Sequence, residues 1–195
     1  MNRNIEIKAV CHDLDRIRTA AQKLSARLAG IEEQCDTYFR TSHGRLKLRR
    51  RRLNLEGDGP GAGDEHFELI WYQRPDTITA KGSNYHVIHV IDGAELRRLL
   101  ADGLGVLAEV HKRRTVYLWR NVRIHLDEVE RLGSFVELEA IVDESCDEPS
   151  ARTKIDHLCE ALDIQPDRFV DVSYSDLLLS ANSSSTKDSK RARSA

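Results

Sequence analysis

Alternation of apolar and polar side chains dominates this chain. Between Arg3 and Cys11, Ile5, Ile7 and Ala9 take one parity, and Asn4, Glu6 and Lys8 take the other. Successive side chains of a strand point to opposite faces, so this reads as a strand with one charged face. The pattern returns over residues 32–40, 45–53, 66–73, 84–91 and 106–120. In the third of these strands Leu46 and Leu48 oppose Arg45, Lys47, Arg49 and Arg51. It is clearest in RIHLDEVERLGSFVELEA (123–140), two strands joined by a turn at Leu132-Gly133. Arg123, His125 and Asp127 share one parity, and so do Phe135, Glu137 and Glu139, with Ile124, Leu126, Val136 and Leu138 opposite.

Helical periodicity interrupts the strands. Asp13 caps a helix with apolar positions Leu14, Ile17, Ala21, Leu24 and Leu28, expected to end at Gly30. Asp92 with Glu95 starts a second, carried by Leu96, Leu99 and Leu100 to about Gly103. A third covers 150–162, and a short last one, Tyr174 to Leu179, is capped by Ser173 and Asp176. Residues 54–65 form a Gly-rich loop expected to be mobile. A second loop, 76–83, follows Arg74-Pro75-Asp76. Residues 181–195 are Ser-rich and basic without periodicity, so a disordered tail is expected after a single domain, 1–180. About eight strands, in runs broken by helices, predict an α+β fold with a largely antiparallel sheet.

Composition narrows the function. Net charge is -2 although 32% of the 195 residues are charged, which argues against a globally basic nucleic-acid binder. Arg49 to Arg52 would be split between two faces of a strand, without interleaved aromatics to stack on bases. The four cysteines lack metal-ligand spacing and are expected as free thiols. With no apolar run long enough to span a bilayer, a soluble cytoplasmic protein without membrane or nucleic-acid partners is expected.

The charged parities of the strands collect Glu6, Lys8, Lys47, Arg49, Arg74, Lys112, Arg114, Arg123, Asp127, Glu137 and Glu139. One such face is most often a solvated surface. Its recurrence on at least five strands, with aliphatic residues opposite, points instead to a closed or nearly closed eight-stranded barrel with a charged interior and helices packed outside. Such an interior costs desolvation energy unless it is wet or occupied. Lys and Arg donate hydrogen bonds suited to a polyanion, and carboxylates suit a hard divalent cation, so the two together describe a metal-bound triphosphate.

At this point the sequence resembles the CYTH domains, the triphosphate tunnel enzymes, and within them the class IV adenylate cyclase branch. NIEIK (4–8) is a variant of the Glu-x-Glu-x-Lys signature. CDTYF (35–39), HGRLKLR (43–49), ELIWYQRPD (68–76), KGSNY (81–85), VHKRR (110–114), RIHLDEVERLG (123–133) and FVELE (135–139) follow in order. The resemblance implies a tunnel that binds a triphosphate with Mg²⁺ or Mn²⁺. By position, Glu6, Asp127, Glu137 and Glu139 would hold metal. Lys8, Lys47, Arg49, Arg74, Lys81, Lys112, Arg114 and Arg123 would grip phosphate oxygens, with Lys8 and Lys112 as candidates for proton transfer. A homodimer is compatible with the family. The chain departs from the signature at Asn4, where the family has Glu. The reaction expected first is cyclisation of ATP to cyclic AMP and pyrophosphate. Its rivals are hydrolysis of tripolyphosphate, thiamine triphosphate or a nucleotide, and a non-catalytic module that binds nucleotide or polyphosphate.

Overall fold

The computed structural model describes residues 2–54, 63–73 and 81–191, without the side chains of 2, 54, 81–84 and 184–191. Among the described residues, eight strands and four α-helices make an α+β fold. The strands are β1 (Asn2–Val10), β2 (Arg27–Phe39), β3 (Arg45–Asn54), β4 (Glu65–Gln73), β5 (Lys81–Val90), β6 (Val106–Trp119), β7 (Val122–Val129) and β8 (Gly133–Val142). The helices are α1 (Leu14–Lys23), α2 (Gly93–Leu104), α3 (Glu148–Ala161) and α4 (Tyr174–Arg191).

In space the strands run β1-β5-β4-β3-β2-β6-β7-β8, each neighbour antiparallel. The sheet curls until β1, at one end of this order, also pairs with β8 at the other. It pairs with β8 over residues 3–10 but with β5 only over residues 2–6, so the last seam is the short one.

Parity decides what each face does. On β1, β7 and β8 the outward residues Ile5, Ile7, Ile124, Leu126, Val136 and Leu138 pack under α1 and α3, against Ile17, Ala21, Ile155, Leu158 and Leu162. Burying each large aliphatic side chain stabilises the fold by about 1.5–3 kcal/mol. A second cluster joins Tyr38, Val110, Val129 and Phe135 to Tyr174 and Leu178, which seats the start of α4 on one end of the barrel. The inward parity keeps the charged residues together.

Several boundaries differ from the sequence expectation. The first helix stops at Lys23, not Gly30. Ser25, at φ 61°, reverses the chain in the left-handed region without a glycine, and β2 begins at Arg27. Leu28 and Gly30 are therefore strand residues, at a register shift against β6. Residues 81–83 belong to β5 and not to a loop. The final helix continues beyond Leu179 to Arg191, since no Gly or Pro breaks it, so the expected tail is helical up to that residue. The Gly-rich stretch 55–62, the 74–80 segment and the chain end 192–195 lie outside the described residues. All four cysteines are free. Among the described residues no helix is long and apolar enough to cross a membrane.

Candidate functional site

The inward faces enclose a cavity of about 520 Å³. That lies within the usual range for a small-molecule site. Its wall is charged because each strand contributes its polar parity. From β1 come Asn4, Glu6 and Lys8, from β8 Glu137 and Glu139, and from β7 Arg123 and His125. Lys112 and Arg114 come from β6, and Lys47, Arg49 and Arg51 from β3. Of these, Asn4, Arg51 and His125 were not expected as site residues; the others were, whereas Asp127, also expected, lies behind the lining. Arg74 lies outside the described residues. Lys81 is placed only by its backbone, opposite Glu6 on β1.

Two sealed carboxylates organise the cations. Asp127 is fully buried, and Arg114 grips it with two parallel bonds, Nε to Oδ1 and Nη2 to Oδ2, each 2.6 Å. The Tyr174 hydroxyl donates to Oδ2 at 2.8 Å, and Lys112 Nζ lies 3.6 Å away. Burial alone would raise the Asp127 pKa, but Arg114 and Lys112 hold it far below the usual carboxylate range. Asp36, on β2, is the counterpart. It accepts from Lys47 Nζ at 2.8 Å and from Arg49 Nε and Nη2 at 2.7 and 2.9 Å. Here too the cations outweigh burial and keep the group ionised.

The lysines respond to the same environment. Burial, with Arg49 next to it, lowers the Lys47 pKa to about 7, only partly offset by Asp36. Burial and Arg114 likewise lower Lys112. The net direction at Lys112, which sequence alone left open, is therefore downward. Lys8 donates to the Val172 carbonyl at 3.1 Å and lies 4.1 Å from the Tyr174 ring centroid.

The other carboxylates line the cavity in a different way. Glu137 receives Arg114 at 3.2 Å, and Glu139 receives Arg123 at 3.2 Å and the Asn4 amide. Both would be raised by burial but are lowered by their neighbours, chiefly Arg114 and Lys8 for Glu137 and His125 and Arg123 for Glu139. Glu6 faces Glu139 across the β1–β8 ladder. Asn4 Oδ1 is buried without a hydrogen-bond partner. His125 is packed in the wall beside these acids, where burial and Arg114 lower its pKa to about 4, so it is neutral at pH 7.

As the side chains stand, no three His, Cys, Asp or Glu residues converge on a metal position among the described residues. The donor chemistry still fits a hard cation at one edge. Glu6, Glu137 and Glu139 offer carboxylate oxygens, and the orphaned Asn4 Oδ1 adds a neutral one. Asp127 fits least, because its oxygens are already committed to Arg114 and Tyr174.

Sequence reasoning missed Asp36 and Tyr174 as site residues. Asp36 shares the parity of Glu32, Gln34 and Tyr38, all of which line the cavity, so the alternation of β2 carried the signal. Tyr174 had no such signal, since it reaches the cavity from a helix. Tyr38 and Tyr72, unassigned from sequence, line the cavity, whereas Trp71 faces outward beside His86 and donates to the His43 carbonyl.

Comparison with known proteins agrees with this geometry. Residues 2–174 match the CYTH domain family. A Methanocaldococcus jannaschii protein named "Putative adenylate cyclase" is 22% identical over 175 residues, covering 89% of this chain and 97% of its own length. The solved Pyrococcus horikoshii protein PH1012 superposes with TM-score 0.72 at 25% identity, covering 91% of this chain and 99% of that one. A Hippeastrum protein shares the fold with TM-score 0.60 at 14% identity, covering 93% of this chain and 96% of that one. Its description is an adenylyl cyclase candidate with a dominant triphosphatase activity. With its signature strand, charged barrel lining and a match spanning nearly its whole length, the chain belongs to the CYTH domain family.

Proposed function

We propose that the barrel is a triphosphate tunnel that binds the phosphates of ATP along its cationic wall and cyclises the nucleotide to cyclic AMP and pyrophosphate. The observation that carries the reading is the pair of sealed carboxylates. Asp36 and Asp127 hold Lys47, Arg49, Lys112 and Arg114 at the cavity wall before any ligand arrives. Donors fixed in advance stabilise developing phosphate charge without reorganising. Lys8, Arg74, Lys81 and Arg123 complete the proposed phosphate grip. Glu6, Glu137 and Glu139, with Asn4 Oδ1, would hold Mg²⁺ or Mn²⁺, and Asp127 serves by anchoring Arg114. When bound, the metal would supply Lewis acidity and neutralise phosphate charge.

In cyclisation the ribose 3′-oxygen bonds to the α-phosphorus, the bond to the bridging oxygen breaks, and pyrophosphate leaves. The hydroxyl proton goes to a base. Lys8 and Lys112 are the candidates from sequence, and Lys47 joins them because it lines the cavity and its pKa of about 7 leaves it partly unprotonated near neutrality. The names given to the archaeal relative support a nucleotide substrate. Hydrolysis of a terminal phosphate is the second reading, favoured by the activity described for the Hippeastrum protein of the same fold. The purified protein should be incubated with ATP and with tripolyphosphate, with Mg²⁺ and Mn²⁺ separately, and the products resolved by chromatography. Cyclic AMP with pyrophosphate supports cyclisation, and orthophosphate supports hydrolysis. Saturable binding without turnover, lost in Lys112→Ala, would mark a binding module. Absence of binding by either compound would overturn the tunnel reading.

A further inference from the structure

The barrel wall does not itself shut the end of the cavity near Lys8 and Lys112. That end is shut by the chain around the start of α4. The Val170 amide donates to the Lys8 carbonyl at 2.8 Å, and Phe169 bridges to Ala9. Asp176 accepts from the Ser173 amide at 3.1 Å, from its hydroxyl at 2.6 Å and from Arg45 Nη2 at 2.9 Å. Ser173 and Tyr174 face the cavity, while Ser175 and Asp176 line a second cavity of about 550 Å³ behind them. Tyr38 borders both. One helical turn and one tyrosine from β2 therefore lie between the two cavities.

Tyr174 is the residue of this partition that meets the cations. Its ring lies edge-on to Phe135 with centroids 5.0 Å apart, and its hydroxyl is spent on Asp127. Lys8 and Lys112 sit 4.1 and 5.1 Å from the ring centroid. Each ammonium is steadied on the aromatic face. An incoming phosphate would thus meet two ammonium groups in front of a ring with no donor left to offer. It could be held there and could go no further.

We propose that Tyr174 is the stop against which the terminal phosphate seats, and that this depth sets which phosphate bond reaches the carboxylate edge formed by Glu137 and Glu139. The inference rests on the triphosphate reading given above. Its consequence is a register: the bond that breaks is counted from the phosphate at the stop. Shortening the stop lets the chain sink by one phosphate and moves the break one bond away from that end. In hydrolysis, water's oxygen bonds to the attacked phosphorus, the bridging P–O bond breaks, and water's protons are shared between the two phosphate products.

Linear tetraphosphate reads the register directly. Breaking an end bond gives orthophosphate and tripolyphosphate, whereas breaking the central bond gives only pyrophosphate. Wild type, Tyr174→Phe and Tyr174→Ala are compared with Mg²⁺ by phosphorus NMR, and the affinities of di-, tri- and tetraphosphate are measured by calorimetry. Tyr174→Phe keeps the ring and should keep the wild-type products. Tyr174→Ala should switch the main product set, and its affinity should go on rising for one phosphate beyond the length at which wild type levels off. If Tyr174→Ala does not fold, Tyr174→Leu, which keeps a contact for Phe135, carries the same expectation. A folded Tyr174→Ala or Tyr174→Leu protein with wild-type products and wild-type length dependence overturns the stop and leaves the triphosphate reading standing. Should the protein bind without turnover, the affinity series alone decides. Failure of wild type to bind any of these compounds overturns both.

Discussion

Replacing Asp36 by Asn tests whether the cationic wall is held by its sealed carboxylates. Asp36 is 1% exposed and receives Lys47 and both nitrogens of Arg49. Asparagine keeps the shape but removes the charge. Breaking a buried pair from one side generally costs about 3–5 kcal/mol, because the partner is left uncompensated. The two partners respond differently. Lys47, with a pKa of about 7, can shed its proton, whereas Arg49 cannot. At pH 8 Lys47 is already largely neutral, so the loss is chiefly that of Arg49. At pH 6 Lys47 is charged in the wild type, and the loss should be larger. For a chain of this size each kcal/mol lowers Tm by about 2–4 °C, so a fall of roughly 6–20 °C is expected at pH 8 and more at pH 6. Saturating tripolyphosphate restores counter-charge and should raise the Tm of Asp36→Asn by more than it raises that of wild type. Differential scanning calorimetry at both pH values, with and without tripolyphosphate, gives all four numbers. A variant melting within about 2 °C of wild type at both pH values, with an equal response to tripolyphosphate, would refute the reasoning.

Lys47 also makes a signed prediction about pH. Its folded pKa is depressed from 10.5 to about 7, so the unfolded chain binds more protons between those values and stability rises with pH across that window, by about 5 kcal/mol from this group. Urea titrations at pH 7 and pH 10 should show that gain shrink in Lys47→Met. Protonated Lys47 also favours a polyanion, so the affinity for tripolyphosphate should fall as pH rises through 7, measured calorimetrically. Glu137→Gln and Glu139→Gln should each abolish metal-dependent turnover in the chromatographic assay while leaving metal-free binding of tripolyphosphate in place. Asn4→Glu replaces the amide donor to Glu139 with another carboxylate. Manganese titration should show tighter metal binding, and melting without metal should show a less stable protein, because like charges then meet beside Glu139.

Much of the barrel was legible because a strand commits alternate residues to opposite faces, and one misplaced residue would invert the whole set. The alternation at Arg123 to Glu139 told which residues face inward, and their partners across β1 and β6 follow from the register. The end of α1 was not legible. Leu24 and Leu28 continue the helical period, but Ser25 takes a left-handed conformation, and nothing in its identity announces that. Asp36 lies in a strand expected over 32–40 and shares the parity of Glu32, Gln34 and Tyr38, but that parity does not by itself say which cations the acid will meet. What gives it its place in the cationic wall is Arg49 across the β2–β3 ladder, a relation between strands and not along one. Tyr174 is a harder case still, since a helix residue carries no parity that says which end of a barrel its helix will close.

Asp127 shows where sequence similarity and geometry part. Its position marks it as one acid of a set with Glu137 and Glu139, and all three share one parity, but only the two glutamates line the cavity. Side-chain identity makes no distinction between a carboxylate that holds a cation from solution and one that holds an arginine. Distance and burial do. Asp127 is fully buried with Arg114 bidentate upon it, whereas Glu139 is met by Arg123, a side chain 42% exposed and so easily displaced. An incoming metal would therefore compete with Arg123 for Glu139, but with Arg114, Lys112 and Tyr174 together for Asp127. The acids of one face divide into those that build the wall and those that can be used by a ligand. That division explains how a cavity so rich in both signs of charge can be stable: the inner carboxylates satisfy the cations, and under the proposed triphosphate reading the outer ones would exchange weak partners for stronger ones on binding a metal-bound polyanion.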